Sequence, residues 1–239
     1  MSESLTVDLF LSRAASPTES LVRSILEWAK LSGLRLMHEG VPVRDDDFPL
    51  SRKAVPLESA PARSQPMAWE FSLGFDLRGG HPWSVLIYVG PYPRGGKGDW
   101  RVIELDTKLS KLYSESEMDA FLEGVILPLC RRIQPMFALG DVMEYTSYDP
   151  TPDDLAVGRP SDVCWLNYYG PGLGRRIESS RLDRLAGYPT YRLQRFEDDS
   201  LVFVVEPLPR PEPRGLVRDI LGLRPSDSRQ RPPSGPEVT

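Results

Sequence analysis

The chain predicts an α+β fold: a mostly antiparallel sheet, two main helices packed on one side of it, and a C-terminal hairpin. Three observations carry that prediction. Two segments place apolar residues at helical spacing behind a capping signal, a run of three strand-like segments is divided by turn-rich loops, and two further apolar strands flank a short acidic turn. About seven strands and two helices follow the order β-α, three strands, α-β, hairpin, with no internal repeat.

The opening SLTVDLFLSR alternates, with Leu5, Val7, Leu9 and Leu11 on one side, and reads as a strand. In SPTES, Ser16 suits an N-cap, Pro17 the first helical position, and Glu19 completes a capping box. The helix behind it aligns Leu21, Ile25 and Trp28, widened by Val22, Leu26 and Ala29, and Gly33 ends it. Residues 40–66 are rich in proline and charge and predict a long connection holding at most one short strand. MAWEFSLGFDL, WSVLIYVG and WRVIELDT then form an antiparallel meander, separated by RGGHP and PYPRGGKGD.

Ser114 and Glu117 make a second capping box, ahead of a stripe of Met118, Phe121, Leu122, Val125, Ile126 and Leu129. Pro128 inside that pattern should kink or segment the helix. FALGDVMEYTSY reads as a strand running into a loop, DPTPDDLAVGRPSD. YRLQRFEDDSLVFVVEPLPR reads as a hairpin turning at Glu197–Ser200. The arginine- and proline-rich end predicts a disordered tail over 210–239, apart from a short helix at 215–223, so residues 1–209 are read as a single domain.

At 239 residues the chain can bury a substantial core, and its 40% apolar and 26% charged content is that of a globular protein. No apolar run reaches membrane-spanning length, and MSESLTVDLFLSRAAS lacks the basic and apolar regions of a secretory signal. With only Cys130 and Cys164, there is no disulfide framework, and the expected compartment is the cytoplasm. The net charge is −5, and the last thirty residues carry six arginines against four acids, leaving about −7 on residues 1–209. An acidic body argues against direct nucleic-acid binding and is compatible with a basic protein partner.

The search for chemistry returns little. His38 and His81 are the only histidines and the cysteines lack ligand spacing, so no zinc centre or cysteine nucleophile is expected. GPGLGRR lacks both the Lys-Ser/Thr ending of a P-loop and the dinucleotide glycine spacing, and no cofactor is predicted. The acids are more numerous in the predicted loops: Asp45, Asp46 and Asp47, then Asp149, Asp153 and Asp154, then Asp198 and Asp199. Solvated loop charge is the plainest account of them. A face presented to a basic partner is the next, and a hydrolytic carboxylate pair or a converged metal site is the third.

The run CWLNYYGPGLG at 164–174 gathers Trp165, Tyr168 and Tyr169 beside a glycine–proline corner. It reads as a structural corner in which one or two of these aromatic rings could also serve a binding surface. Gly170, Gly172 and Gly174 would supply positive backbone dihedrals there.

Taken together, the strand–helix opening, WSVLIYVG, the helix before FALGDVMEY, WLNYYGPGLGRRI followed by RLDRLAGY, and LVFVVEP resemble the type VI secretion immunity protein family across residues 5–209. Trp165, Tyr168, Gly170 and Pro171 are the family-like positions, and the tail after 209 is a departure. The resemblance implies a non-catalytic antidote that binds and neutralises a cognate antibacterial toxin. A toxin met in the cytoplasm would act on nucleic acid or a nucleotide, and a nuclease would present a basic surface. On that expectation the toxin-binding candidates are Asp45, Asp46, Asp47, Asp153, Asp154, Trp165, Tyr168 and Tyr169. A small hydrolytic enzyme built on loop carboxylates, or a scaffold protein, are the alternatives.

Overall fold

The computed structural model of the chain describes residues 4–12, 18–38, 41–42, 71–77, 84–92, 100–108, 114–142, 150–187, 192–209 and 214–223. Its centre is the first strand, β1 (Ser4–Leu11), whose burial alternates from Ser4 to Leu9. It pairs antiparallel on one side with β6 (Trp100–Lys108) and on the other with β7 (Phe137–Val142). Outward from β6 run β5 (Ser84–Tyr92), β4 (Phe71–Leu77), β2 (Leu34–His38) and the short β3 (Val41–Pro42). Outward from β7 run β8 (Leu166–Tyr169), β10 (Leu201–Val204) and β9 (Arg192–Arg195). Every pairing in this ten-stranded sheet is antiparallel, so the α+β class, the meander and the C-terminal hairpin are as the sequence predicts.

The two predicted helices cover one face. On α1 (Thr18–Leu31), Leu21, Ile25, Trp28 and Ala29 are buried, as the stripe requires. The second helical run comprises α2 (Glu115–Phe121), a wider π turn over Leu122–Ile126, and α3 (Leu127–Ile133). Its capping box forms as predicted, the Ser114 hydroxyl accepting from the Glu117 amide and the Glu117 carboxylate accepting from the Ser114 amide. Pro128, which has no amide hydrogen, follows the π turn, so the irregularity is absorbed by widening instead of by a break. The Trp28 indole donates to the Val125 carbonyl at 3.0 Å and ties α1 to this stretch. These helices enclose a core with Leu5, Val7, Leu9, Ile103, Leu105, Tyr168 and Val204.

The opposite face departs from the expected one-sided arrangement. Over its C-terminal half, four short helices cover it: α4 (Pro152–Val157), α5 (Pro171–Gly174), α6 (Ser179–Ala186) and α7 (Gly215–Leu221). They bury Leu155, Leu173, Leu185, Val217, Ile220 and Leu221 against Phe10, Phe137, Tyr169 and Phe203. Phe10 and Phe137 meet across the β1–β7 register with ring centroids 4.9 Å apart. A sheet with apolar residues on both faces needs a cover on both, which is why the second layer exists.

The domain boundary moves with it. The short helix foreseen at 215–223 is α7, but it belongs to the core and is no part of a free tail. Arg214, at its start, forms an ion pair with Asp141 that is almost wholly buried, at 8% and 2% side-chain exposure. Of the predicted connection at 40–66 only Val41–Pro42, as β3, is described; residues 43–66, the tail beyond 223, and Ser16 and Pro17 of the first capping box lie outside the described residues.

Candidate functional site

The 164–174 stretch resolves into architecture. In β8 successive side chains alternate, so Leu166 and Tyr168 enter the core under α1 and α3 while Asn167 and Tyr169 enter the other. Trp165 joins the first core, its indole donating to the Glu206 carbonyl at 2.8 Å. Tyr169 lies edge-on to Phe203, with centroids 5.5 Å apart. All three aromatic candidates, Trp165, Tyr168 and Tyr169, are 0% exposed, which corrects their assignment as toxin contacts. They are too large to leave uncovered where two cores meet on one strand. Burial pushes the Tyr168 phenol up to about 12. Asn167, also fully buried, exchanges hydrogen bonds with both backbone groups of Cys164 and so closes the turn into β8.

None of Gly170, Gly172 and Gly174 takes a positive dihedral; Gly170 and Gly174 act by close approach, and Gly172 has open space around it. Gly170 has an extended φ of −62°, and a Cβ there would overlap the Pro135 carbonyl oxygen. A Cβ on Gly174 would overlap the Asp199 carbonyl oxygen, which seats α5 against the β9–β10 turn. In that turn the Asp198 carboxylate accepts from the Ser200 hydroxyl and amide, at 2.6 and 2.9 Å. Those bonds hold its carboxyl below the usual value.

Among the acidic candidates, Asp45, Asp46 and Asp47 lie outside the described residues, and Asp149 with them. Asp154 is buried, and its placement corrects its assignment as a contact: it is the third helical residue of a capping box on α4. Its carboxylate accepts from the Thr151 amide and hydroxyl, at 2.8 and 2.9 Å, and Thr151 accepts from the Asp154 amide. Asp153, one residue earlier, is exposed. The T-P-D-D sequence carries this signal, a cap followed by proline at the first helical position, inside what reads as a loop. Asp154→Ala should therefore lower stability by about 1 kcal/mol, while Asp153→Ala changes it by less than about 0.5 kcal/mol. Paired urea melts check this, and equal effects would refute the assignment.

Cys130 and Cys164 are buried thiols, and burial pushes both up, away from the reactive thiolate. His38 ends β2, and His81 lies outside the described residues. Among the described residues no three His, Cys, Asp or Glu side chains are arranged to hold a metal, and no helix is long and apolar enough to cross a membrane.

The charged feature that the structure assembles was not among the candidates. On β1 and β6, the residues that alternate with the core positions are Thr6 and Asp8, and Glu104 and Asp106. The register sets Asp8 opposite Glu104 and Thr6 opposite Asp106, with the Thr6 hydroxyl donating to Asp106 at 2.6 Å. All four are half-buried, on the sheet face opposite α1. Thr6 also faces Asp141 on β7, so the row ends at the ion pair with Arg214. The row brings three carboxylates onto neighbouring strands of one sheet face. Beyond it, a cleft lies between α6 and α7, lined chiefly by charged residues of both signs.

No protein-family model matches the chain, and no curated protein does. Among solved structures the fold is similar to that of a Pseudomonas aeruginosa T6SS protein, PA0821, with a TM-score of 0.48 and 18% identity, over 93% of this chain and 76% of that one.

Proposed function

We propose that this chain is a non-catalytic immunity protein of the cytoplasm, which binds a cognate antibacterial toxin and blocks it. The motif resemblance of 164–174 motivates the reading. Since those residues build the corner between two cores, they would mark a shared scaffold, with the contact surface elsewhere. The observation that carries the reading is the half-buried row of Asp8, Glu104 and Asp106 on the central strands. A rigid sheet face bearing adjacent carboxylates suits a basic macromolecular surface, such as the substrate-binding face of a nuclease.

The test is capture of the partner from lysate of producing cells, then co-expression of the captured protein with and without this chain. Survival only in its presence supports immunity. The absence of any protective partner in cells shown to express the toxin overturns it. With the partner in hand, combining Asp8→Asn, Glu104→Gln and Asp106→Asn should slow association at low salt by about tenfold or more and flatten its salt dependence. Unchanged rates would remove the sheet face from the contact. A second reading, a carboxylate hydrolase, rests on Asp8 and Glu104 facing each other across strands. It requires turnover of a substrate that the Glu104→Gln variant alone abolishes.

A further inference from the structure

We propose that β9 is a pairing edge for a second copy of this chain, joining two ten-stranded sheets antiparallel across a twofold axis at Gln194. β9 ends the sheet, and β10 is its one neighbour among the described residues. The hydrogen-bond phase is set at the turn, where the Phe196 amide donates to the Ser200 carbonyl at 2.9 Å. Alternation from there directs the amides and carbonyls of Gln194 and Arg192 at β10, and those of Leu193 and Arg195 outward. Among the described residues none pairs with that outer row. Edge strands are commonly blunted by charged side chains, but here both arginines are drawn onto the faces of the sheet. Arg192 reaches Glu123 and, at 2.9 Å, the Gln194 side chain, while Arg195 donates to the Gly174 and Ile177 carbonyls at 3.2 Å. No bulge or proline interrupts Arg192–Arg195.

The occupant follows from the order of residues along the strand. Only a register that sets an outward residue opposite an outward residue makes bonds, and centring on Gln194 uses every outward group of β9. Leu193 then exchanges both backbone bonds with Arg195 of the second copy, and Arg195 does so with Leu193 of the second copy. In this register no arginine faces an arginine, since Arg192 lies opposite Phe196 and Arg195 opposite Leu193. Centring on Arg195 would set two guanidiniums face to face. Charge favours the same antiparallel order. β9 opens on Arg192 and its turn carries Glu197 and Asp198, both exposed, so each acidic turn comes beside the basic start of the other copy. A parallel neighbour would align like with like. The contact lies away from the acidic row, because β7, β8 and β10 separate β9 from β1. The pair therefore presents that row twice, and its formation does not depend on the immunity reading.

The contact is small, so the expected association is weak, with Kd on the order of 100 µM. The experiment is sedimentation equilibrium of the full chain up to about 1 mM, beside Arg195→Pro and Arg195→Ala. Both variants lose the guanidinium, but only proline removes an outward amide, and it leaves the bonds to β10 in place. The expected result is pairing weakened about tenfold or more by Arg195→Pro and retained by Arg195→Ala, with both folded by urea melt. A second measurement does not rely on the proline variant. At the axis Gln194 faces its own copy as a non-hydrogen-bonded pair, with Cα atoms about 4.5 Å apart, a separation that a disulfide spans. Oxidation should cross-link Gln194→Cys and leave Leu193→Cys monomeric. A chain that stays monomeric at the highest concentration, pairing indifferent to Arg195→Pro, or cross-linking through Leu193→Cys in preference would overturn the proposal. If the chain is monomeric and Arg195→Pro costs capture of a protective toxin, the edge takes a toxin strand: the second copy falls while the immunity reading stands.

Discussion

Replacing Arg214 with Met should destabilise the protein by about 3–5 kcal/mol, because it leaves the Asp141 carboxylate buried without its cation. Asp141 is 2% exposed at its side chain and lies between β1 and β8. Its oxygens accept from the Val142 amide at 2.9 Å, the Trp165 amide at 3.2 Å, and both terminal nitrogens of Arg214. The backbone donors remain after the substitution, but two amides do not replace a guanidinium inside the core. Since Arg214 also starts α7, the loss should be felt at Val217, Ile220 and Leu221, which that helix buries. Urea unfolding gives the size of the effect, and hydrogen exchange should show α7 opening before the sheet does. Adding Asp141→Asn to the Arg214→Met variant should recover part of the loss, since it removes the stranded charge. A cost below about 1 kcal/mol, or no recovery in the double variant, would show that the pair is not what docks the helix. The same contacts predict that a chain ended at residue 209 is a damaged domain and not a trimmed one.

The local elements were legible wherever period and punctuation agree. The Ser114–Glu117 capping box, the stripes of α1 and α2–α3, the meander, the 197–200 turn and even α7 follow from spacing alone. What the sequence hides is which face a short helix covers. Helices α4, α5 and α6 are each eight residues or fewer, too short for a periodic stripe to stand out, and α6 has no capping side chain. The sheet-face acids were missed for a related reason. In β1 the Leu5-Val7-Leu9 alternation already puts Thr6 and Asp8 on the opposite side, and Ile103-Leu105 does the same for Glu104 and Asp106. That the two rows are neighbours depends on β1 pairing with β6, close to a hundred residues downstream. Period two reveals a face, but only topology reveals what shares it. The loop acids were conspicuous because they are adjacent in sequence, and adjacency placed Asp154 in a helix cap and Asp153 in solvent.

Trp165→Ala should cost about 3–5 kcal/mol, comparable to the loss of the buried ion pair. The side chain is among the largest that are fully buried, and its removal leaves a cavity between β8 and the helices above it. It also strips the Glu206 carbonyl of its indole donor, which adds the cost of an unpaired acceptor. The main-chain bonds of residue 165, from the Val205 amide at 3.0 Å and to the Asp141 carboxylate, survive the substitution, so the loss is that of the side chain. Trp165→Phe refills most of the volume but not the hydrogen bond, and should cost about 1–3 kcal/mol. The two variants separate an architectural tryptophan from an interface anchor. An anchor would lose partner affinity with melting temperature nearly intact, because its ring is solvated before the partner arrives. Here the opposite is expected: a large fall in melting temperature for both variants, and unchanged affinity per folded molecule for Trp165→Phe measured well below its transition. Unchanged stability with lost binding would return the ring to the surface and, with it, the contact role that its burial denies.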